Sequence, residues 1–354
     1  MGAVRLFLAL VVVFDHGRDA ILIPHHLNVN VAWALGLNAG YAVMFFYVIS
    51  GFLIGYAINN KYGFSPDGAF AFYEGRFVRI FSLFWPLAVL LLLVSPEARQ
   101  TLWQARSFDK FTGLCLFGVD WNMAFRDYPA LHMGATLQDM TQSWTLGAEL
   151  SFYALAPFLL RSKWAIAVVL LGSVTIRAIA FHRLGFNVIW THLFFPATVL
   201  FFMLGAGANE VARRPLALRK RFLIFGLIAC VGFLMFPEYA YWDTPRFWGA
   251  VLLFAVSLPA LFDSTKDSRV LNILGDLSYP VYLVHLFVLA FLKKPELSDK
   301  ILSLAGPYGV IGALLIVSLV TAVAAHYAIE VPMTRLMRAG IYRSEKLLRQ
   351  RAAS

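Results

Sequence analysis

Apolar runs about 20 residues long recur from one end of this 354-residue chain to the other, and that recurrence constrains the fold more than any single motif. At about 1.5 Å of rise per residue, such a run matches the roughly 30 Å hydrocarbon core of a bilayer. Barrel strands would alternate apolar and polar at every second residue, and these runs do not. Composition agrees: 60% of the residues are hydrophobic and 14% charged, against about 25% charged in an ordinary soluble domain. The expected fold class is all-α, a polytopic transmembrane helical bundle. It has about ten spans, at roughly 4–23, 33–57, 80–96, 144–160, 164–182, 188–208, 222–237, 246–262, 277–292 and 307–329. Segment 111–125 is apolar but short, and is expected to be re-entrant or interfacial.

The first run leads into Asp15, His16, Gly17, Arg18 and Asp19 instead of a small-residue cleavage signal, so it is expected to stay as a span. Residues 1–332 are expected to form one membrane-embedded domain and 333–354 a basic, amphipathic tail. With both termini placed in the cytoplasm, roughly twice as many Lys and Arg fall inside as outside. The net charge of +10 then reports orientation and contact with anionic lipid, and calls for no nucleic acid. Cys115 and Cys230 are expected to be packing residues. Neither they nor the adjacent His25 and His26 have the further ligands that a metal site needs. His132, His182, His192 and His326 are expected at interfaces, and Glu330 is expected to close the last span before Pro332.

A charge within a span costs roughly 3 kcal/mol, so it normally faces a bundle interior and often marks function. Arg5 and His16 lie eleven residues apart on the first span, about three turns and about 16 Å along a helix, and so share a face. An arginine suits phosphate or carboxylate recognition, and a histidine can take a proton near neutral pH. Asp15 points about 100° away from His16 and is a poor orienting partner. On the second span Ser50 and Gly51 are small enough for a helix or a ligand to approach the backbone. Arg76 and Arg79 share a face at the inner boundary. Thr145, Glu149 and Tyr153 form a stripe on the fourth span, and Ser278, Tyr279, Tyr282 and His285 lie on the ninth.

In this order the segments resemble the acyltransferase 3 family of bacterial membrane O-acyltransferases, whose members acetylate lipopolysaccharide O-antigen, peptidoglycan and exopolysaccharide. The likeness runs from Arg5 to Pro332 through R-x10-H, F-[FY]-x-x-S-G-F-L-I, R-x-x-R-I, W-[ST]-L-x-x-E-x-x-F-Y and S-Y-x-x-Y-L-x-H. Tyr47 stands where the family more often has phenylalanine. The resemblance implies transfer of an acyl group, usually acetyl from acetyl-CoA, to a sugar hydroxyl of an exopolysaccharide or other envelope glycan at the bacterial plasma membrane, with no metal. It implies that Arg5 and His16 are catalytic and that Arg76 and Arg79 serve the acyl donor. Some relatives carry an esterase-like domain with a Gly-Asp-Ser nucleophile motif. Gly275, Asp276, Leu277 and Ser278 resemble that motif only superficially, with leucine at the nucleophile position.

The mechanism expected from these residues puts donor phosphates on Arg5, Arg76 and Arg79, with Ser50 and Gly51 in the same donor-binding group. His16 is expected to act as general base or transient acyl carrier, and Glu149 either to orient an imidazole and stabilise imidazolium or to bind sugar hydroxyls. Tyr153 and His285 are expected to contact substrate. The expected partners are membrane lipid, acyl-CoA and a glycan or lipid-linked sugar acceptor. The main rival is a transporter or flippase for a lipid-linked sugar, which would also bury charges. Against it stands the lack of an inverted repeat with paired Gly/Pro-broken spans.

Overall fold

The computed structural model describes residues 1–27, 29, 37–125, 138–185, 187–212, 226 and 244–353. Helix α1 (Gly2–Gly17) continues through a π-helical turn, Arg18–Leu22. It is followed by α2 (Ala39–Ala57), α3 (Pro66–Val94) and three short helices, α4 (Pro96–Gln104), α5 (Ser107–Cys115) and α6 (Val119–Phe125). Next come α7 (Trp144–Leu159), α8 (Lys163–Leu184), a π-helical turn Ile189–Leu193, α9 (Phe195–Ala212) and α10 (Pro245–Thr265). The chain continues with α11 (Arg269–Leu292), α12 (Pro295–Ala325), a π-helical turn His326–Glu330 and α13 (Val331–Ala353). No strand occurs among the described residues.

With the turns that continue them, seven of these helices (α2, α3 and α8 to α12) are long and apolar enough to cross a bilayer. Helices α1 and α7 have 16 residues each. The span expected at 222–237 lies outside the described residues, as do Cys230 and His132.

Two boundaries differ from the expected spans for local reasons. Helix α3 begins well before residue 80 because Ser65 and Pro66 start it: the Ser65 hydroxyl accepts the Gly68 N–H at 3.1 Å and proline sits in the first turn. Arg76 and Arg79 therefore lie inside a long helix. At the other end, Pro332 does not stop the chain's helical course. A π-helical turn precedes it, and in the first turn of α13 its missing N–H costs nothing. The apolar segment 111–125 makes two short helices, broken where Leu116 and Gly118 take φ of 62° and 79°.

Two pairings position the site. Helices α1 and α11 run parallel: Gly2 packs on the Leu271 carbonyl, Arg5 on Gly275, and His16 on His285. Helices α2 and α9 cross so closely that a Cβ added at Gly51 would lie 1.9 Å from the Phe202 carbonyl oxygen. Gly51→Ala is therefore expected to cost about 1–3 kcal/mol by overpacking, measured as a lower unfolding midpoint in detergent. An unchanged midpoint would mean that α9 moves away freely.

Candidate functional site

Helices α1, α2, α3, α7 and α11 line an open-sided cleft. Arg5, Arg76 and Arg79 bring three guanidinium groups to it, and Ser50, Glu149 and Tyr153 line it with them. The hydroxyls of Ser50 and Tyr153 lie beside the Glu149 carboxylate. The remaining wall is largely aromatic, with Phe46, Tyr47, Tyr279 and Tyr282. Glycine at 275 makes room for Arg5, because a Cβ there would sit 2.4 Å from its Nη2.

Each arginine is held differently. Arg76 lies 5.8 Å from the Phe72 ring centroid and 5.9 Å from that of Tyr153, with its Nε buried and unpartnered among the described residues. The Arg5 Nε is also buried and unpartnered. Arg79 stacks over Tyr279 at 5.2 Å and donates to Glu330 at 2.7 Å. Glu330 is 3% exposed, and its second oxygen lies 2.7 Å from His326 Nδ1. Glu330 therefore does more than close the last span: it couples His326 to a cleft arginine. His326, expected at an interface, faces this carboxylate because the π-helical turn brings residues 326 and 330 to one side.

His16 does not line the cleft. Its Nδ1 lies 2.9 Å from His285 Nε2, and the rings are nearly parallel, at 19°. His285 Nδ1 lies 2.7 Å from the Tyr282 carbonyl oxygen. A carbonyl can only accept, so His285 Nδ1 carries the hydrogen. In neutral His285, Nε2 must then accept, and His16 Nδ1 must donate. That leaves a lone pair on Nε2 of neutral His16, the atom a general base needs. Tyr282 connects the two regions: it lines the cleft, its ring centroid is 5.7 Å from that of His285, and its hydroxyl is 3.0 Å from that of Thr145.

The family model of the acyltransferase domain, acyltransferase 3, matches residues 1–327. The chain belongs to this family. No curated protein and no solved structure gives a significant match. Family membership makes the protein a multi-pass membrane acyltransferase and favours group transfer over the transporter reading.

In this acyltransferase the expected site residues divide into groups. Arg5, Arg76, Arg79, Ser50, Glu149 and Tyr153 share the cleft, while His16 and His285 form a dyad beyond Tyr282. The partner of His16 is thus His285 and not Glu149, the first of the two roles expected for that carboxylate. Glu149 instead faces Ser50 and Tyr153. Gly51 packs against Phe202 of α9 and is not among the residues that line the cleft.

Asp15 turns away from His16 as expected, accepting the Ala39 N–H at 2.8 Å and pairing with Arg18 at 2.7 Å. Arg177 is structural, donating to the carbonyls of Thr191 and Ala197 between the rings of Phe201 and Trp248. His192, expected at an interface, is 4% exposed and packs edge-on against Trp144.

Proposed function

We propose that this acyltransferase moves an acetyl group from acetyl-CoA to a sugar hydroxyl of an exopolysaccharide or other envelope glycan at the bacterial plasma membrane. The observation that carries the reading is a cleft with three arginines, two of them with unpartnered buried Nε atoms, that ends at a wall shared with a histidine dyad. A buried N–H donor without a partner is costly unless a ligand joins it, and planar guanidinium donors suit phosphate. The donor's phosphates take the arginine end. Its flexible arm passes Tyr282, and its thioester reaches His16, about 16 Å deeper along α1.

His16 Nε2 takes the proton of the acceptor hydroxyl as that oxygen attacks the thioester carbonyl carbon. The tetrahedral intermediate then releases CoA as thiolate, which receives the proton from His16. Throughout, His16 keeps its Nδ1–H bond to His285, so the imidazolium forms without rearranging the dyad. The arginine end faces the cytoplasm in this reading, where acyl-CoA is made. The excess of inner Lys and Arg supports that orientation.

The test is purified protein in lipid, radiolabelled acetyl-CoA and envelope glycan extract. Label in the glycan with stoichiometric CoA release supports the reading. Transfer from succinyl-CoA alone would overturn the acetyl assignment, and no transfer from either thioester would overturn the CoA donor.

The Arg79–Glu330 pair carries a separate prediction. In Glu330→Gln the side chain keeps its shape but no longer fixes Arg79 by charge. KM for acetyl-CoA is expected to rise about threefold to tenfold with kcat little changed, as expected for loss of one charge-assisted contact that orients a donor-binding group. A fall in kcat at constant KM would place Glu330 in the chemical step instead.

A further inference from the structure

Tyr47 is 1% exposed, lines the cleft, and has a hydroxyl with no hydrogen-bond partner among the described residues. Its ring is held by stacking on Phe202, with centroids 4.4 Å apart, and phenylalanine would make that contact equally well. The hydroxyl therefore adds a desolvation cost and no internal bond, which marks it as a group awaiting a ligand.

Its level in the membrane says which part of a ligand it meets. Helix α2 starts at Ala39, tied to Asp15 beside His16, and runs to Ser50, which faces Glu149 at the arginine end. Tyr47 comes one turn before Ser50, about 4.5 Å nearer the histidine end. Phe46 and Tyr282, both uncharged, line the cleft with it, and the charged group nearest in effect is the Glu149 carboxylate, which repels an anionic ligand atom. Charged ligand oxygens are matched by the arginines. The Tyr282 hydroxyl already meets that of Thr145, so the phenolic donor left open among these rings is that of Tyr47, and it matches an uncharged carbonyl oxygen.

We propose that Tyr47 is a specificity-determining residue whose hydroxyl donates to an uncharged carbonyl oxygen, of amide type, on the arm between the donor's anionic end and its reacting thioester. The proposal rests on the acyl-CoA reading of the cleft. It adds affinity for donors that carry such an arm and none for small acyl donors, such as acyl phosphates, that lack one.

The test compares full-length wild type with Tyr47→Phe in lipid nanodiscs. It measures the ligand-free unfolding midpoint and the equilibrium binding of two probes. One is acetyl-CoA. The other is adenosine 3′,5′-bisphosphate, which keeps an anionic end and has no arm. The variant is expected to unfold at or above the wild-type temperature, because an unsatisfied buried hydroxyl is gone. It is expected to bind acetyl-CoA about tenfold more weakly, the loss of one buried hydrogen bond, and the bisphosphate unchanged. Equal acetyl-CoA affinity in the two proteins overturns the assignment of Tyr47 alone. Equal weakening towards both probes, or a lower ligand-free midpoint, also overturns it by showing a structural role. A wild type that does not bind acetyl-CoA overturns the donor reading and this assignment with it.

Discussion

Replacing His16 with alanine is expected to lower acetyl transfer about a thousandfold while leaving acetyl-CoA affinity unchanged. The size follows from what the residue supplies, since a positioned general base contributes roughly 10²–10⁴ in rate. The selectivity follows from where it sits. The arginines, Ser50, Glu149 and Tyr153 line the cleft, and His16 does not. Its substitution therefore removes a proton acceptor without disturbing the groups expected to hold the donor. Direct binding and single-turnover transfer, measured on protein shown to be folded, separate the two quantities. Wild-type transfer in His16→Ala would exclude His16 from the reaction, and loss of both transfer and donor binding would make it a donor-site residue.

A single-turnover experiment without acceptor also distinguishes the two chemical roles open to this nitrogen. If Nε2 attacks the thioester itself, one equivalent of CoA is released and the acetyl group stays on His16. If Nε2 only deprotonates the acceptor hydroxyl, CoA release waits for acceptor. The bond from His16 Nδ1 to His285 suits both routes, because either one places positive charge on the His16 ring. The acceptor dependence of CoA release decides between them.

Much of the fold was legible because bilayer thickness imposes a length on apolar runs. The seven long apolar helices fall where runs of about 20 residues were expected. What hydropathy could not supply were helix ends set by polar chemistry. The amphipathic start of α3 depends on the Ser65–Pro66 cap, and the passage through Pro332 depends on a π-helical turn. Both are local hydrogen-bond events that a hydropathy window averages away.

The site was legible residue by residue but not in its pairings. Arg5, Arg76, Arg79, Ser50, Glu149 and Tyr153 do meet. Which carboxylate serves which base was not readable, because it depends on the register between helices far apart in sequence. Glu149 shares a cleft with Ser50 and Tyr153, and Glu330 reaches Arg79 from the end of the bundle. His285 reaches His16 because α1 and α11 run parallel with a nearly constant offset, from Gly2 and Leu271 to His16 and His285. Tyr47 was visible only as a departure from phenylalanine, and its meaning needed the unpartnered hydroxyl.

That register also makes His285 the second most sensitive position. It is a positioning residue, acting on the reaction through His16. With His285 present, the chain of bonds from the Tyr282 carbonyl fixes hydrogens on His285 Nδ1 and His16 Nδ1. Without it, His16 is free to take the other tautomer, with its hydrogen on Nε2, where no further proton can be accepted. His285→Ala is therefore expected to lower kcat by on the order of 10², within the range for losing an orienting partner of a catalytic histidine. KM for acetyl-CoA should stay near its wild-type value, because His285 does not line the cleft. Two further readouts separate this from general disorder. His285→Gln, whose amide oxygen extends towards the place of Nε2, should recover part of the rate. The deficit of His285→Ala should also persist at alkaline pH, because a misplaced hydrogen on neutral imidazole is not removed by raising pH as an extra proton is. Full recovery at high pH would show that His285 controls only the charge of His16, and a raised KM at every pH would show that it shapes the cleft.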